Sequence, residues 1–384
     1  MSPRDYFFND EHEAFRETVR RFVDKEIRPK INEWETNGCY DRAIFKRMGE
    51  LGFLGLGYPV EYGGQEADIR MSIVFWEEIS RCGAMGFPMS VCVQTDMASP
   101  SLAHVGNHAQ KDKYLKAVCS GEKIIAVAIT EPNYGSDVAN IETKAVLEGD
   151  YYRVNGSKMF ITNGTQADVI NTVVRTGGPG YQGVSLLLID ADTPGFSVGR
   201  KLEKMGMLSS DTAELVFEDC MVPRENLLGR EGEGFFALMA GLERERLSAC
   251  ALSYTGAQVA LEEAIKYAKA RVQFNKPIIR HQVIAHMLAD MATEIEACKR
   301  LAYHAASLVE KGISCNREVS MAKLYCTETA NRVIDRAVQI HGGYGFMKEY
   351  IVERLYRDAR LATIGAGTSQ IMRHIIVREL GLRE

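Results

Sequence analysis

The spacing of apolar residues switches twice along this chain of 384 residues. Before residue 123 and after residue 232, apolar side chains recur every three or four positions, which predicts amphipathic helices. Between those points, short apolar runs alternate with turn residues, which predicts short strands closed into a small barrel or sandwich. We therefore expect an N-terminal helical domain over 1–122, a middle β domain over 123–232 and a C-terminal four-helix bundle over 233–384.

Capping and helix-breaking residues predict the helix bounds. Asp10 and Glu13 form a capping-box pattern, and Pro29 should interrupt the helix that they begin. Ser99 before Pro100 predicts a fresh helix start. The remaining helices are predicted over 43–51, 70–84, 109–120, 235–271, 281–311, 317–340, 349–361 and 369–380.

The middle domain begins with residues 123–164, which combine strand, loop and turn patterns. The β-branched residues between Ile124 and Ile129 predict a buried strand that stops at Pro132. The small polar residues that follow it form a loop whose backbone N–H groups can face a phosphate. Asn155 followed by Gly156 predicts a tight hairpin turn. The stretch is thus predicted to be a strand, an anion-binding loop and a hairpin.

Composition narrows the functional classes. The net charge is −5, and no dense Lys/Arg run occurs, which argues against nucleic acid or an anionic membrane surface as the main partner. The apolar runs fall short of the ~20 residues that span a bilayer, and the N-terminus has no apolar signal core. The nine cysteines show neither a C-x-x-C pair nor metal-ligand spacing. We therefore expect no structural disulfide, no metal site, no membrane insertion and a cytoplasmic location.

Two motifs of the middle domain carry a family resemblance. The segments ITEPNYGSDVANI, which begins at Ile129, and NGSKMFITNG, which begins at Asn155, resemble the paired flavin signatures of the acyl-CoA dehydrogenase family. The resemblance extends from end to end, and is greatest to the long-chain, isovaleryl-CoA and citronellyl-CoA dehydrogenase branch. It implies the fold of that family, which is mainly α with a β-barrel middle domain. It also implies an FAD-dependent enzyme that converts an acyl-CoA thioester into a trans-2-enoyl-CoA.

The resemblance also implies the cofactor residues. Those near the flavin ring and its phosphates would be Val127, Ile129, Thr130, Ser136, Phe160, Ile161, Thr162, Thr368 and Gln370. In the family, a neighbouring subunit supplies the residues at the dinucleotide end, which here would be Arg271, Gln273, Phe274, Gln282, Gln339, Gly342 and Gly343. Arginine suits a pyrophosphate, and glycines let backbone approach it closely. On the residues alone, a helix stop is the favoured interpretation of Gly342-Gly343, and the upstream motifs reverse that preference. The implied partners are an electron-transfer flavoprotein and further copies of the chain in a homotetramer.

The base for the α proton does not stand where many members of the family carry it. Many family members carry a late glutamate in a tyrosine-glutamate-glycine-threonine motif, where this chain has Gly365-Ala366-Gly367-Thr368. Alanine has no titratable group, although the Ala366 backbone N–H can still serve the family's oxyanion hole. Glu243 and Glu245 in GLERERL lie about 200° apart around a helix, and periodicity does not choose between them. The isovaleryl and long-chain branches place their base in a glutamate-arginine-leucine context, so the resemblance assigns Glu245. Burial beside an acyl chain should raise its pKa.

Substrate contacts and specificity follow from the same resemblance. The implied contacts are Ser136, Phe236, Glu243, Arg246 and Gly365. Glycine at 365, where straight-chain enzymes have tyrosine, leaves room for a methyl branch at C3. Motifs similar to the long-chain branch favour a deeper pocket. The expected substrate is a medium or long acyl chain, or a 3-methyl-branched chain such as citronellyl-CoA.

Other interpretations of the sequence stay open. A short branched-chain dehydrogenase, such as an isovaleryl-CoA enzyme, is the nearest alternative, and an acyl-CoA oxidase is a second. Ala366 also leaves room for a non-catalytic flavin-binding interaction protein of the same fold.

Overall fold

The computed structural model describes residues 7–239 and 241–382. Its first part is helical, with π-helical turns over Val23–Ile27, Val93–Ala98 and Lys111–Leu115. The α-helices are α1 (Asp10–Phe22), α2 (Ile31–Asn37), α3 (Ala43–Glu50), α4 (Ile69–Ile79), α5 (Gly86–Cys92), α6 (Ser99–Val105), α7 (His108–Gln110) and α8 (Lys116–Cys119). Of the described helices, none has an apolar stretch long enough to cross a bilayer.

Two helix starts differ from prediction. Asn9, not Asp10, caps α1, because its side chain accepts the backbone N–H of His12 at 3.0 Å and its own N–H donates to His12 Nδ1 at 3.1 Å. Ser99 is no N-cap, because α5 continues into α6 through the π-helical turn. Pro100 lacks an N–H, and a π-helical turn is one place where a helix tolerates such a gap. The predicted interruption at Pro29 is confirmed by a 3-10 turn over Arg28–Lys30.

The middle part is a β domain. Its strands are β1 (Ile125–Ala128), β2 (Lys144–Glu148), β3 (Tyr151–Thr162), β4 (Val169–Arg175), β5 (Val184–Asp190), β6 (Phe196–Lys201), β7 (Thr212–Pro223) and β8 (Leu227–Leu228). Within the described residues the sheet order is β6-β7-β3-β2-β4-β5-β8, and β1 adds to β4 in parallel. The backbone N–H of Met159 in β3 donates to Thr130 O at 2.8 Å, which holds the segment after β1 beside β3.

The predicted hairpin turn at Asn155-Gly156 is wrong. β3 runs straight through both residues, and the register against β7 shifts there as a β-bulge. The Asn155 side chain bridges to β7, accepting from Asp219 N–H at 2.8 Å and donating to Asp219 Oδ1 at 3.0 Å. Gly156 has a φ of +148°, and a Cβ there would stand 2.7 Å from Thr143 Cα. Glycine is thus required for close packing in a bulge rather than for a turn.

The last part is again helical. Its elements are α9 (Gly234–Met239), α10 (Leu242–Ala270), the short strands β9 (Val272–Gln273) and β10 (Lys276–Pro277), α11 (Gln282–Glu310), α12 (Asn316–His341), α13 (Ile351–Ala359) and α14 (Ser369–Glu379). The prediction of a single helix over 235–271 is wrong, because the structure has two helices there, α9 and α10. Gly241 stands at that break, and a Cβ there would lie only 3.1 Å from Pro100 Cβ. The break therefore accompanies a close approach of the two helical parts.

The N-terminal helices and the bundle share one apolar core. Phe75 and Trp76 of α4 lie in the same buried cluster as Leu252 of α10 and Ile295 of α11. The β domain has a core cluster of its own, which includes Tyr152, Leu187 and Phe217. The start of α10 is therefore held between the N-terminal helices and the remainder of the bundle.

Candidate active site

Glu245 lies in the first turn of α10, beside the break that follows α9. Its side chain is partly buried, and no hydrogen bond from a described residue holds its carboxylate. Burial raises the pKa of Glu245 to about 7, against the nearby positive charges of Arg246 and Lys323. A rise from 4.5 to about 7 corresponds to about 3 kcal/mol, more than the roughly 0.3–1 kcal/mol that a helix N-terminus offers a carboxylate. Such a group can accept and release a proton near neutral pH.

Glu243 and Arg246, which were predicted to contact substrate, form hydrogen bonds with residues before and at the start of α12. The Cys315 thiol donates to the Glu243 carboxylate across 3.7 Å. Arg246 is buried and donates to Asn316 Oδ1 at 2.8 Å. Among the described residues its Nε has no acceptor, which leaves one buried donor for a bound ligand. Glu245 is therefore the carboxylate of this turn with no partner fixed by the fold.

Arg244 is a residue of this turn that sequence reasoning missed. It pairs with Asp96 at 3.2 Å and donates to Ser72 Oγ at 3.0 Å. Asp96 is buried and also accepts from Trp76 Nε1 at 2.8 Å and Thr95 Oγ1 at 2.7 Å. These contacts anchor the start of α10 to the N-terminal helices. A cavity of about 10 Å³, enough for about one water, remains beside the pair.

The loop before α14 holds Ala366 in an uncommon backbone conformation. Ala366 has a φ of +54° and Gly367 a φ of +82°. No described residue accepts a hydrogen bond from the N–H of either. The buried ammonium of Lys323 donates to the carbonyl oxygens of Ala362 at 3.0 Å, Gly365 at 2.9 Å and Gly367 at 2.6 Å. The loop thus has its carbonyls bound to one lysine and its Ala366 N–H free for a ligand.

A buried ion pair organises the end of β1. Lys158 of β3 is fully buried and donates to Ile129 O at 3.0 Å and Glu131 Oε1 at 2.8 Å. Glu131 also accepts the N–H groups of Glu142 at 2.6 Å and Thr143 at 2.9 Å. Burial lowers the pKa of Lys158 to about 8, and Glu131 opposes that fall. The pair therefore fixes the segment in which Ile129 and Thr130 were predicted to meet the flavin ring.

The predicted flavin-ring residues differ in exposure. Phe160 has a φ of +64° and is 67% exposed, an unusual setting for an aromatic ring without a ligand. Thr162 and Val127 are partly buried, and Ser136 is exposed in its loop. Ile161 packs into the β core, so its backbone alone is available to a cofactor.

Four of the seven residues predicted for the dinucleotide end meet at the bundle surface. Arg271, Gln273, Gly342 and Gly343 line one open cavity of about 580 Å³, together with Tyr267, Ile278, Ile340, His341, Tyr344 and Met347. No atom of the described residues lies within 4 Å of the position that a Cβ on Gly342 or Gly343 would take. Phe274, 87% exposed, and the exposed Gln282 and Gln339 lie outside this lining. A cation, aromatic rings and bare backbone fit a nucleotide diphosphate.

The remaining predicted site residues lie on α9, in the loop before α14 and at the start of α14. Thr368 caps α14, its hydroxyl accepting from Ile371 N–H at 3.2 Å, and Gln370 is exposed. Phe236 on α9 is 57% exposed. Among the described residues, a Cβ on Gly365 would meet only Leu361, at 3.8 Å, so there is open space beside Gly365.

Comparisons with known proteins agree along the whole chain. The acyl-CoA dehydrogenase N-terminal, middle and C-terminal domains match residues 9–122, 126–220 and 232–381. An acyl-CoA dehydrogenase from Bacillus subtilis is 43% identical over 372 residues, which are 96% of this chain and 98% of that protein. The caffeyl-CoA reductase-Etf complex subunit CarC of Acetobacterium woodii is 40% identical, over 96% of this chain and 98% of that protein.

Solved structures extend the likeness to the fold. The crystal structure of an acyl-CoA dehydrogenase from Geobacillus kaustophilus is 43% identical, covers 98% of this chain and 99% of its own, and superposes with a TM-score of 0.95. The mainly helical fold with a β middle domain, expected from the sequence, is confirmed. This chain therefore belongs to the acyl-CoA dehydrogenase family, whose members are FAD-dependent oxidoreductases acting on CH–CH bonds.

Proposed function

We propose that this protein removes two hydrogens from Cα and Cβ of an acyl-CoA thioester, with Glu245 as the α-proton base. The supporting observation is the setting of Glu245: its carboxyl group is partly buried, has no hydrogen-bond partner among the described residues, and has a pKa of about 7. The late position where many relatives carry a glutamate holds Ala366 instead. A second carboxylate is therefore not needed at that loop.

The chain's own groups divide the work on the thioester. The proton that leaves Cα bonds to the Glu245 carboxylate, whose raised pKa makes it a competent acceptor. The Ala366 N–H donates to the thioester oxygen, where negative charge develops. FAD, when bound, supplies the acceptor for the hydride that leaves Cβ. Thr130, Phe160 and Thr162 would hold its ring.

The substrate class is argued from the loop beside the base. The open space at Gly365 suits a methyl branch at C3. We propose a medium or long acyl chain, or a 3-methyl-branched one of the citronellyl type. A short branched chain such as isovaleryl is the alternative, since the open space at Gly365 would suit its methyl branch equally.

The test is anaerobic loss of the yellow flavin absorbance. Purified protein is mixed with straight and 3-methyl-branched acyl-CoAs from four to sixteen carbons. We expect a subset of these thioesters to bleach the unaltered protein. Glu245→Gln should bind FAD but lose bleaching by 10²-fold or more, on the order expected for removing a general base.

Glu262→Gln is the matched control, since it neutralises a carboxylate of the same helix that is exposed and paired with Arg81 at the surface, away from the proposed base. It should retain most of the bleaching rate. Equal losses in both variants would reassign the base, and no bleaching of the unaltered protein by any thioester would refute the dehydrogenase proposal in favour of a binding role.

A second candidate is the reverse reaction, reduction of an enoyl-CoA. The 40% identity to a caffeyl-CoA reductase subunit supports it, and a carboxyl group with a pKa near 7 can deliver a proton as readily as it takes one. Chemically reduced protein should then regain its colour with an enoyl-CoA faster than oxidised protein loses it with the acyl-CoA. That relative's name also supports our proposal that an electron-transfer flavoprotein is the redox partner, and we propose a homotetramer on the family's pattern.

A further inference from the structure

Lys323 is a buried cation with no carboxylate within 4 Å in the described part of the chain. It lies in the middle of α12 with 0% of its surface exposed. Buried lysines are rare unless their charge is compensated. Here three backbone carbonyls, those of Ala362, Gly365 and Gly367, take all three N–H donors of the ammonium. The ammonium of Lys323 is therefore enclosed by one loop, residues 362–367, whose three bound carbonyl groups we call the carbonyl cage.

The carbonyl cage determines where the Ala366 N–H points. In a planar trans peptide, the carbonyl of residue 365 and the N–H of residue 366 lie on opposite sides of the same plane. Binding of the Gly365 oxygen by Lys323 therefore turns the Ala366 N–H away from the lysine. The positive φ of Ala366, a conformation that costs a non-glycine residue about 1–3 kcal/mol, persists because the surroundings hold it.

The positive charge of Lys323 also affects the carboxyl group of Glu245. The positive charge of Lys323 lowers the pKa of Glu245 against the effect of burial. From α10, Glu245, Arg246 and Cys250 are the titratable groups that act on Lys323, and burial lowers its own pKa to about 8. Protonated lysine supplies three donors, whereas the neutral amine supplies two.

We propose that Lys323 is a positioning residue for the oxyanion hole: by binding the carbonyls on either side of Ala366, it aims the Ala366 N–H at the thioester oxygen. The inference rests on the proposed function, because it assigns the Ala366 N–H to a reacting oxygen. In this role Lys323 acts through the loop that it binds, and we assign it no direct contact with substrate or cofactor.

The decisive test uses a thioester that ionises without being dehydrogenated. A 3-ketoacyl-CoA loses a Cα proton to give an enolate, and its apparent pKa when bound measures stabilisation of the thioester oxygen. In Lys323→Met, which keeps the side-chain length without donors, that apparent pKa should rise by about 2 or more, matching the 10²–10³-fold loss known for one oxyanion donor. The bleaching rate with acyl-CoA should fall by a similar factor, with little change in half-saturation.

Lys204→Met is the matched control. Lys204 is another lysine whose pKa burial lowers to about 8, and it donates to Ser210 O at 2.7 Å in the β domain. That variant should leave the apparent pKa of the bound 3-ketoacyl-CoA unchanged. Far-UV circular dichroism and the flavin spectrum establish that each variant is folded and loaded.

The outcomes separate the two proposals. Lys323→Gln, which keeps two donors without the charge, replaces Lys323→Met if the latter does not fold, and should give an intermediate rise. A folded Lys323 variant with an unchanged apparent pKa would overturn the positioning role while leaving the dehydrogenase proposal standing. Unaltered protein that neither ionises the 3-ketoacyl-CoA nor bleaches would refute the proposed function itself.

Discussion

At the scale of one residue, the burial that raises the pKa of Glu245 also lowers the free energy of unfolding. Its pKa is about 7 in the folded protein against an ordinary 4.5, so ionising it in place costs folding free energy. The cost is absent below pH 4.5, grows as the pH rises towards 7 and is constant above 7. Glu245→Gln should therefore stabilise the holoprotein by at most about 3 kcal/mol at pH 8, and by less than about 1 kcal/mol at pH 5.

Urea unfolding at pH 8 and pH 5 measures this difference. The two pH values control for packing, since any stability gained because glutamine packs better would be the same at pH 8 and at pH 5. An equal gain at the two pH values would contradict the assignment of a buried, ionising carboxyl group to Glu245.

At the scale of elements, the Lys158–Glu131 pair joins β3 to the end of β1 and to the loop before β2. Lys158→Met leaves Glu131 buried without its cation. The expected loss is about 3–5 kcal/mol in the free energy of unfolding, with weaker FAD binding because the Ile129–Thr130 segment loses its anchor. Denaturant unfolding and FAD titration of the stripped protein measure the two effects.

The double variant Glu131→Gln, Lys158→Met is the control, because it removes the unpaired charge together with its partner. It should recover part of the lost stability. Single and double variants of equal stability would show that the charge of Glu131 is not what makes the lysine necessary.

At the scale of the whole molecule, one buried network couples the two helical parts. Arg16 of α1 pairs with Glu77 at 2.5 Å and Glu78 at 3.2 Å, both on α4. Tyr254 of α10 donates to Glu77 at 2.8 Å. The two carboxylates raise the pKa of Arg16 despite its burial. Arg16→Met should lower the unfolding free energy by about 3–5 kcal/mol, because two carboxylates lose their cation in a buried setting.

Arg28→Met is the surface counterpart. The Arg28–Asp24 pair is about half exposed on both sides, so its loss should cost less than about 1 kcal/mol. Comparable losses in the two variants, measured by chemical denaturation, would show that the network contributes no more than a surface pair.

The sequence predicted the order of the three structural parts, because side-chain periodicity is a local property. Helix and strand periods identify elements wherever one face is buried. The residue-level candidates rested on the two flavin motifs and on the replacement of a late glutamate by Ala366. The hairpin at Asn155-Gly156 failed because a bulge and a turn use the same residues, and only the partner strand β7 distinguishes them.

The sequence by itself thus determined the architecture and Glu245 as the candidate base. Tertiary structure alone decided what surrounds that base. Lys323 lies 42 positions from Gly365, and Arg244 lies 148 positions from Asp96; no period or motif links either pair. Such contacts arise only when separate elements pack together. Packing places the Lys323 ammonium against the carbonyl groups of a distant loop, and burial raises the pKa of Glu245.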